Sequence, residues 1–113
     1  MNANVIAKKL GNLQQKGDMK ASDVAQALGT RPETVSRWRQ GKAFPQPDAE
    51  RALLDLEYVV DLLADLYKPD EARIWLLSRQ RLLGDARPVD LIRDGRTREV
   101  LNMLRQLLEG VHV

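Results

Sequence analysis

The stretch ASDVAQALGTRPETVSRWRQGKAFP, residues 21–45, carries the most specific pattern in the chain. Two short amphipathic segments flank Gly29, a residue that takes a positive φ without steric cost. Ala25 is small enough to let two crossing helices approach each other closely. The pattern therefore predicts two short helices joined by a tight turn, with four apolar side chains facing inward: Val24, Leu28, Val35 and Trp38.

The start of the second short helix shows two familiar signals. Thr30 and Glu33 have the spacing of a capping box, in which each side chain satisfies a free backbone amide of the first turn. Pro32 is tolerated in that turn because its missing N–H would have no partner there. We therefore expect this helix to begin directly after Thr30.

The outward face of the second short helix is polar and basic. At 100° per residue, Val35 and Trp38 share the buried side, and Arg37 and Gln40 fall opposite them. Arginine can bind the O6 and N7 atoms of guanine, and glutamine can pair with adenine. Neighbouring cations suit phosphates, which supply affinity rather than sequence reading. The predicted DNA contacts are Arg31, Glu33, Ser36, Arg37, Arg39, Gln40 and Lys42, and a merely solvated basic face is the alternative.

Helical spacing of apolar residues recurs along the rest of the chain, whereas alternating runs typical of strands do not. Ile6, Leu10 and Leu13 mark a first helix that is expected to end with Gly17 in the left-handed conformation. A long helix over residues 49–67 is expected to be capped by Asp48, and further helices are predicted from Pro69, from Pro88 and over residues 97–109. The fold is predicted to be all-α, with an N-terminal helix-turn-helix bundle in residues 1–50 and a small helical module in residues 51–113.

The predicted long helix is apolar over far more than one stripe. Such a helix must be buried on several sides, which in a short chain indicates a homodimer or a large partner interface. Glu57, Asp61 and Asp65 recur every four residues along it. They form either a solvated face or an acidic ridge that meets arginines, from residues 73–98 or from a partner.

The charge of the chain is unevenly distributed. Residues 1–52 hold nine Lys/Arg and five Asp/Glu, a net charge of +4, whereas residues 53–113 hold nine and eleven, a net charge of −2. The two values add to the overall +2. A basic first half and a mildly acidic second half favour a polyanion as one partner and a protein as the other.

Composition excludes most enzymatic chemistry. The chain has no cysteine and one histidine, so a disulfide framework, a thiolate metal site and a His-containing catalytic triad are not expected. There is no glycine-rich phosphate loop, and no cofactor is predicted. The most apolar stretch, residues 53–66, contains four carboxylates and cannot cross a bilayer, so we expect a cytosolic protein without membrane contact.

The exit from the second short helix carries a first family likeness. The segment VSRWRQGKAFP, residues 35–45, places a Trp before a Gly and then a Pro. With this segment, residues 3–50 resemble the Xre/phage-repressor helix-turn-helix family, in which this helix is the recognition helix. Thr30 departs from the apolar residue that usually follows the turn glycine.

The second half carries another likeness, in the order Trp75, Leu82-Leu83-Gly84, Pro88 to Ile92, Gly95, Val100, Leu104 and Gly110. This order resembles the C-terminal domain of Xre/MbcA/ParS-type antitoxins. The resemblance implies an antitoxin that holds a RES-domain, NAD-degrading toxin inactive, with its C-terminal end at or near the toxin's active site and with DNA binding as an autoregulatory arm. On that resemblance, the toxin-binding candidates are Arg79, Arg81, Leu108, Val111, His112 and Val113. The alternative is a stand-alone phage-type dimeric repressor.

Overall fold

A computed structural model describes residues 1–110, and they form helices joined by short loops. The predicted contacts Val111, His112 and Val113 lie outside the described residues. The all-α prediction is confirmed, since the described part of the chain contains no strand beyond an isolated bridge between Gln80 and Ala86. The elements are α1 (Ala3–Gly17), α2 (Ala21–Leu28), α3 (Pro32–Arg39), α4 (Pro47–Leu63), α5 (Pro69–Leu77), a 3₁₀ turn (Arg81–Leu83), α6 (Pro88–Arg93) and α7 (Thr97–Gly110).

The start of α3 differs from the predicted capping box. Pro32 is the first helical residue, and Arg31 before it is extended, with φ −105° and ψ 152°. A residue that precedes proline is forced away from the helical region, so Arg31 and not Thr30 occupies the N-cap position. Glu33 therefore falls one position short of the site from which it could close a box.

The start of α4 is displaced for the same reason. Pro47 begins the helix and Gln46 is its extended N-cap residue, so Asp48 lies inside the first turn, where its charge complements the helix dipole. The helix ends at Leu63, four residues before the predicted Tyr67. Hydrogen bonds of 2.9 and 2.8 Å from the amides of Leu66 and Tyr67 to the Leu63 carbonyl close the turn that leads to α5.

The end of α1 also corrects a prediction. Gly17 is the last helical residue, and Asp18 takes the left-handed conformation at φ 50°. Aspartate tolerates this region better than most residues. Gly17 instead lets α1 approach α4 closely, since a Cβ at this position would lie 3.3 Å from Met19 and 3.4 Å from Val60 of α4.

One hydrophobic core joins both halves of the chain. The α4 helix packs against α1 and α2 on one side and α6 and α7 on the other, which buries Leu53, Leu56 and Leu63 completely. Most of its apolar circumference is thus covered within the chain. Leu54 and Tyr58 are its exposed apolar residues, at 42% and 57%. The boundary predicted after residue 50 falls within the first turn of α4.

The acidic ridge meets lysines of α1 and not the arginines of residues 73–98. Lys9 Nζ lies 2.6 Å from a carboxylate oxygen of Glu57, and Lys16 Nζ lies 2.9 Å from Asp61. These contacts offset the repulsion between like charges four residues apart. Two of the three carboxylates of the ridge thus contact α1.

No helix of the described residues is long and apolar enough to cross a membrane.

Candidate functional site

The corner between α2 and α3 holds the predicted DNA-binding face in a defined position. Gly29 takes a φ of 69°, and the amide of Thr30 donates to the Ala25 carbonyl at 3.0 Å. Val35 and Trp38 are buried, at 0% and 3% exposure, as are Val24 and Leu28. Because these contacts fix the rotation of α3 about its axis, its opposite face points to solvent.

The predicted DNA contacts lie on that solvent face. Ser36 is half-buried, and the others are exposed: Arg31, Glu33, Arg37, Arg39, Gln40 and Lys42. Lys42 follows α3 in a turn closed by its own amide, which donates to the Arg37 carbonyl at 2.9 Å. All seven residues therefore belong to α3, to its N-cap position or to the turn that follows it.

The cations of this face are not neutralised internally. Across residues 1–110, no carboxylate lies within salt-bridge distance of Arg31, Arg37, Arg39 or Lys42. Eight such pairs form elsewhere in the same part of the chain. Unpaired cations at an exposed helix face suit phosphate oxygens.

The predicted toxin contacts are divided between two sides of α7. Arg79 and Arg81 are exposed in the loop that carries the 3₁₀ turn, which packs against α7. Leu108 is half-buried on the side of α7 that faces α4. There it lines a groove of about 130 Å³ together with Tyr58, Leu62, Leu101 and Arg105.

A buried ion pair that sequence reasoning missed joins the two halves. Asp23 of α2 is 2% exposed and accepts two hydrogen bonds from Arg73 of α5, at 2.9 and 3.1 Å, and one from the amide of Lys20. Burial alone would raise the pKa of Asp23, but the hydrogen bonds from Arg73 and Lys20 outweigh it, and the pKa lies below its usual value. Nothing in the sequence links two residues fifty positions apart.

A second polar link lies beside the first. Arg87 binds both carboxylate oxygens of Asp90 at 2.9 Å and donates a further hydrogen bond to Gln26 of α2 at 3.1 Å. The hydrogen bonds from Arg87 hold the pKa of Asp90 below its ordinary value. The helix that precedes the corner is therefore tied to both α5 and α6.

The chain is similar to known antitoxins along its whole length. No protein-family model matches it. The mycobacterial cidal antitoxin MbcA, from Mycobacterium tuberculosis and Mycobacterium bovis, is 34% identical over 113 residues, which is 100% of both chains. A probable mycobacterial cidal antitoxin of Mycobacterium tuberculosis is 32% identical over 91 residues, 80% of this chain and 77% of that protein.

The likeness extends to three dimensions. A chain of the crystal structure of the M. tuberculosis MbcT–MbcA toxin–antitoxin complex superposes with a TM-score of 0.82 at 33% identity. The match covers 96% of the present chain and 98% of the other. Sequence and fold agree over the full length, and the protein belongs to the MbcA family of antitoxins.

Proposed function

We propose that this antitoxin binds a cognate RES-domain toxin in the cytoplasm and blocks its NAD-degrading active site with the C-terminal region. The observation that carries the proposal is the match along the whole chain to a chain of a toxin–antitoxin complex. Exposed Arg79 and Arg81 and the end of α7 supply a surface that internal contacts leave accessible. Leu108 and Val111–Val113 complete the proposed contact set, on the family likeness of this end of the chain.

Removal of the last three residues tests the blocking role. The full-length protein, mixed with the RES-domain product of the adjacent reading frame, should abolish NAD⁺ consumption. A variant that ends at Gly110 should still bind, because Arg79, Arg81 and Leu108 are retained, but NAD⁺ consumption should return. Full inhibition by the truncated variant would exclude the tail as the blocking element. Absence of binding by the full-length chain would reject the toxin partner itself.

We further propose that α3 is a recognition helix through which the protein binds its own operator. Its solvent face combines exposed Arg37 and Gln40 with unpaired flanking cations. Helix-turn-helix proteins bind two half-sites as dimers, and we propose a homodimer here as well. Exposed Leu54 and Tyr58 on α4 support self-association, although α4 needs a partner less than its sequence suggested.

Substitution of Arg37 tests the recognition role. Arg37→Ala should weaken operator binding by about 1–3 kcal/mol and relax base preference at one position. The matched control is Lys42→Ala, which should weaken binding to every sequence and lower the salt slope by about one. Fluorescence titrations of operator and scrambled duplexes at several salt concentrations measure both effects. An Arg37→Ala titration equal to that of the wild type would refute the assignment.

A further inference from the structure

Leu82 is the most exposed large apolar side chain of residues 1–110. It is 66% exposed, although 25 other hydrophobic residues in this part of the chain are buried. It belongs to the 3₁₀ turn that links α5 and α6, and we call residues 79–86 the anchor loop. Its neighbour Leu83 is half-buried and packs on the core, so the loop is fixed from beneath while Leu82 points outward.

Hydrogen bonds close the anchor loop on itself and tie it to α5. The amide of Gln80 donates to Ala86 at 3.0 Å, and the amides of Leu83 and Asp85 donate back to Gln80, each at 3.0 Å. The side-chain amide of Gln80 donates to the Trp75 carbonyl at 3.1 Å, which ties the loop to α5. The backbone that carries Leu82 is therefore already ordered, so binding through it costs little backbone conformational entropy.

Two uncompensated charges flank the exposed leucine. Arg79 and Arg81 are exposed, and in the part of the chain described here neither has a carboxylate within salt-bridge distance. By contrast, Arg87 and Arg96 farther along are paired with Asp90 and Glu99. An apolar side chain between two free cations is complementary to an apolar pocket with an acidic rim.

The anchor loop lies beside α7, the last helix of the described residues. A cleft of about 460 Å³ separates the loop from α7, and Leu82 and Gln106 are both among its lining residues. Gly110 is four residues beyond Gln106, which is about 6 Å along a helix. A single protein partner of ordinary interface size, about 800 Å² on each side, would cover both features.

We propose that Leu82 is the docking anchor for the toxin: it enters an apolar pocket of the toxin whose rim carries carboxylates that pair with Arg79 and Arg81. This inference rests on the proposed function. It assigns affinity to the anchor loop and leaves inhibition to the C-terminal end. Few residues carry most of the energy of an interface; arginine is enriched among them, and they lie in well-packed, desolvated pockets.

The test measures dissociation constants for the RES-domain product of the adjacent reading frame. Leu82→Asp should raise the dissociation constant about 30-fold or more, and Leu82→Ala by a smaller factor of about ten. Replacing Arg79 and Arg81 together with alanine should slow association and flatten its salt dependence. Phe44→Ala is the matched control, because Phe44 is also exposed, at 54%, but lies in the loop after α3. The dissociation constant of this variant for the toxin should equal that of the wild type.

The outcomes separate the inference from the proposed function. Thermal unfolding of Leu82→Asp and Leu82→Ala should match the wild type, since an exposed side chain has few contacts to lose. Wild-type-like affinity of both Leu82 variants would overturn the anchor while the toxin partner stands. If the wild-type chain does not bind the toxin, both the anchor inference and the proposed function are rejected. The Leu82 variants could instead change the oligomeric mass of the antitoxin in the absence of toxin and leave its affinity for the toxin unchanged. In that case the loop joins copies of the chain, and the inference is overturned.

Discussion

Residues 47–113, expressed without residues 1–46, are expected to show no cooperative unfolding transition and to leave the toxin active. This fragment keeps α4–α7 and every predicted toxin contact, but it loses α1 and α2, which pack on α4, α5 and α6. At about 1.5–3 kcal/mol for each buried leucine-sized side chain that is uncovered, the loss of cover from only four of them costs roughly 6–12 kcal/mol. That cost is comparable to the whole stability of a domain, about 5–15 kcal/mol.

The complementary fragment supplies the control. Residues 1–46, added in trans, should restore helicity and inhibition together, because the cut removes a covalent link and no side chain. Far-UV circular dichroism during thermal unfolding and NAD⁺ consumption measure the two quantities. A fragment of residues 47–113 that unfolds cooperatively and inhibits the toxin alone would contradict the shared core. It would instead support two independently folding domains.

The substitution Arg73→Ala is expected to lower the free energy of unfolding by about 2–4 kcal/mol, a large effect for the loss of one ion pair. The change leaves the Asp23 carboxylate buried with the Lys20 amide as its remaining donor. Breaking a buried pair by removing one partner typically costs about 3–5 kcal/mol, and the partial exposure of Arg73, 35%, moves the expectation toward the lower end. Urea unfolding at pH 7 measures it.

Two further variants identify the cause. Asp23→Ala/Arg73→Ala should recover part of the loss, because no uncompensated charge is left behind. Lys16→Ala should change nothing measurable, because its pair with Asp61 is about half exposed on both sides, at 46% and 48%. Equal losses for Arg73→Ala and the double variant would show that the packing of the arginine stem, and not its charge, matters.

The same ion pair gives stability a dependence on pH. The folded-state pKa of Asp23 is lowered, so its stabilisation is fully present above the unfolded-state pKa, about 3.9, and is lost as pH falls toward the folded-state value. Without Arg73, burial raises the pKa of Asp23, so protonation relieves the variant before it affects the wild type. The difference in free energy of unfolding between wild type and Arg73→Ala should therefore be largest near pH 7 and shrink steadily as pH falls.

Local restrictions made much of the fold predictable. Gly29 and the prolines 32, 69 and 88 lie at the helix ends that they predict, because a positive or a fixed φ is a property of one residue. The errors at Thr30 and Asp48 share one cause: Arg31 and Gln46 each precede a proline, which keeps them out of the helical region and makes them the N-cap residues. The inward positions of Val35 and Trp38 followed from helical period alone.

Contacts between distant segments could not be predicted. The partners of Glu57 and Asp61 are lysines 45 or more positions earlier, and the partner of Asp23 is fifty positions later. Pairing of this kind depends on how helices pack, which charge patterns do not encode. For the same reason the exposure of Leu82 could not be predicted, because the sequence shows only two adjacent leucines, Leu82 and Leu83. Only packing distinguishes the half-buried Leu83 from its neighbour.

The position of α3 has a consequence for evolution. This helix packs on α1 and α2, whereas α1, α2 and α4 also contact the second half of the chain. Its outer residues can therefore mutate without disturbing the core or the surface proposed for the toxin. On the proposed roles, a daughter copy of a duplicated gene can acquire a new operator by changing a few positions such as Arg37 and Gln40 while it keeps its old toxin. Divergence of regulation can then precede divergence of partnership.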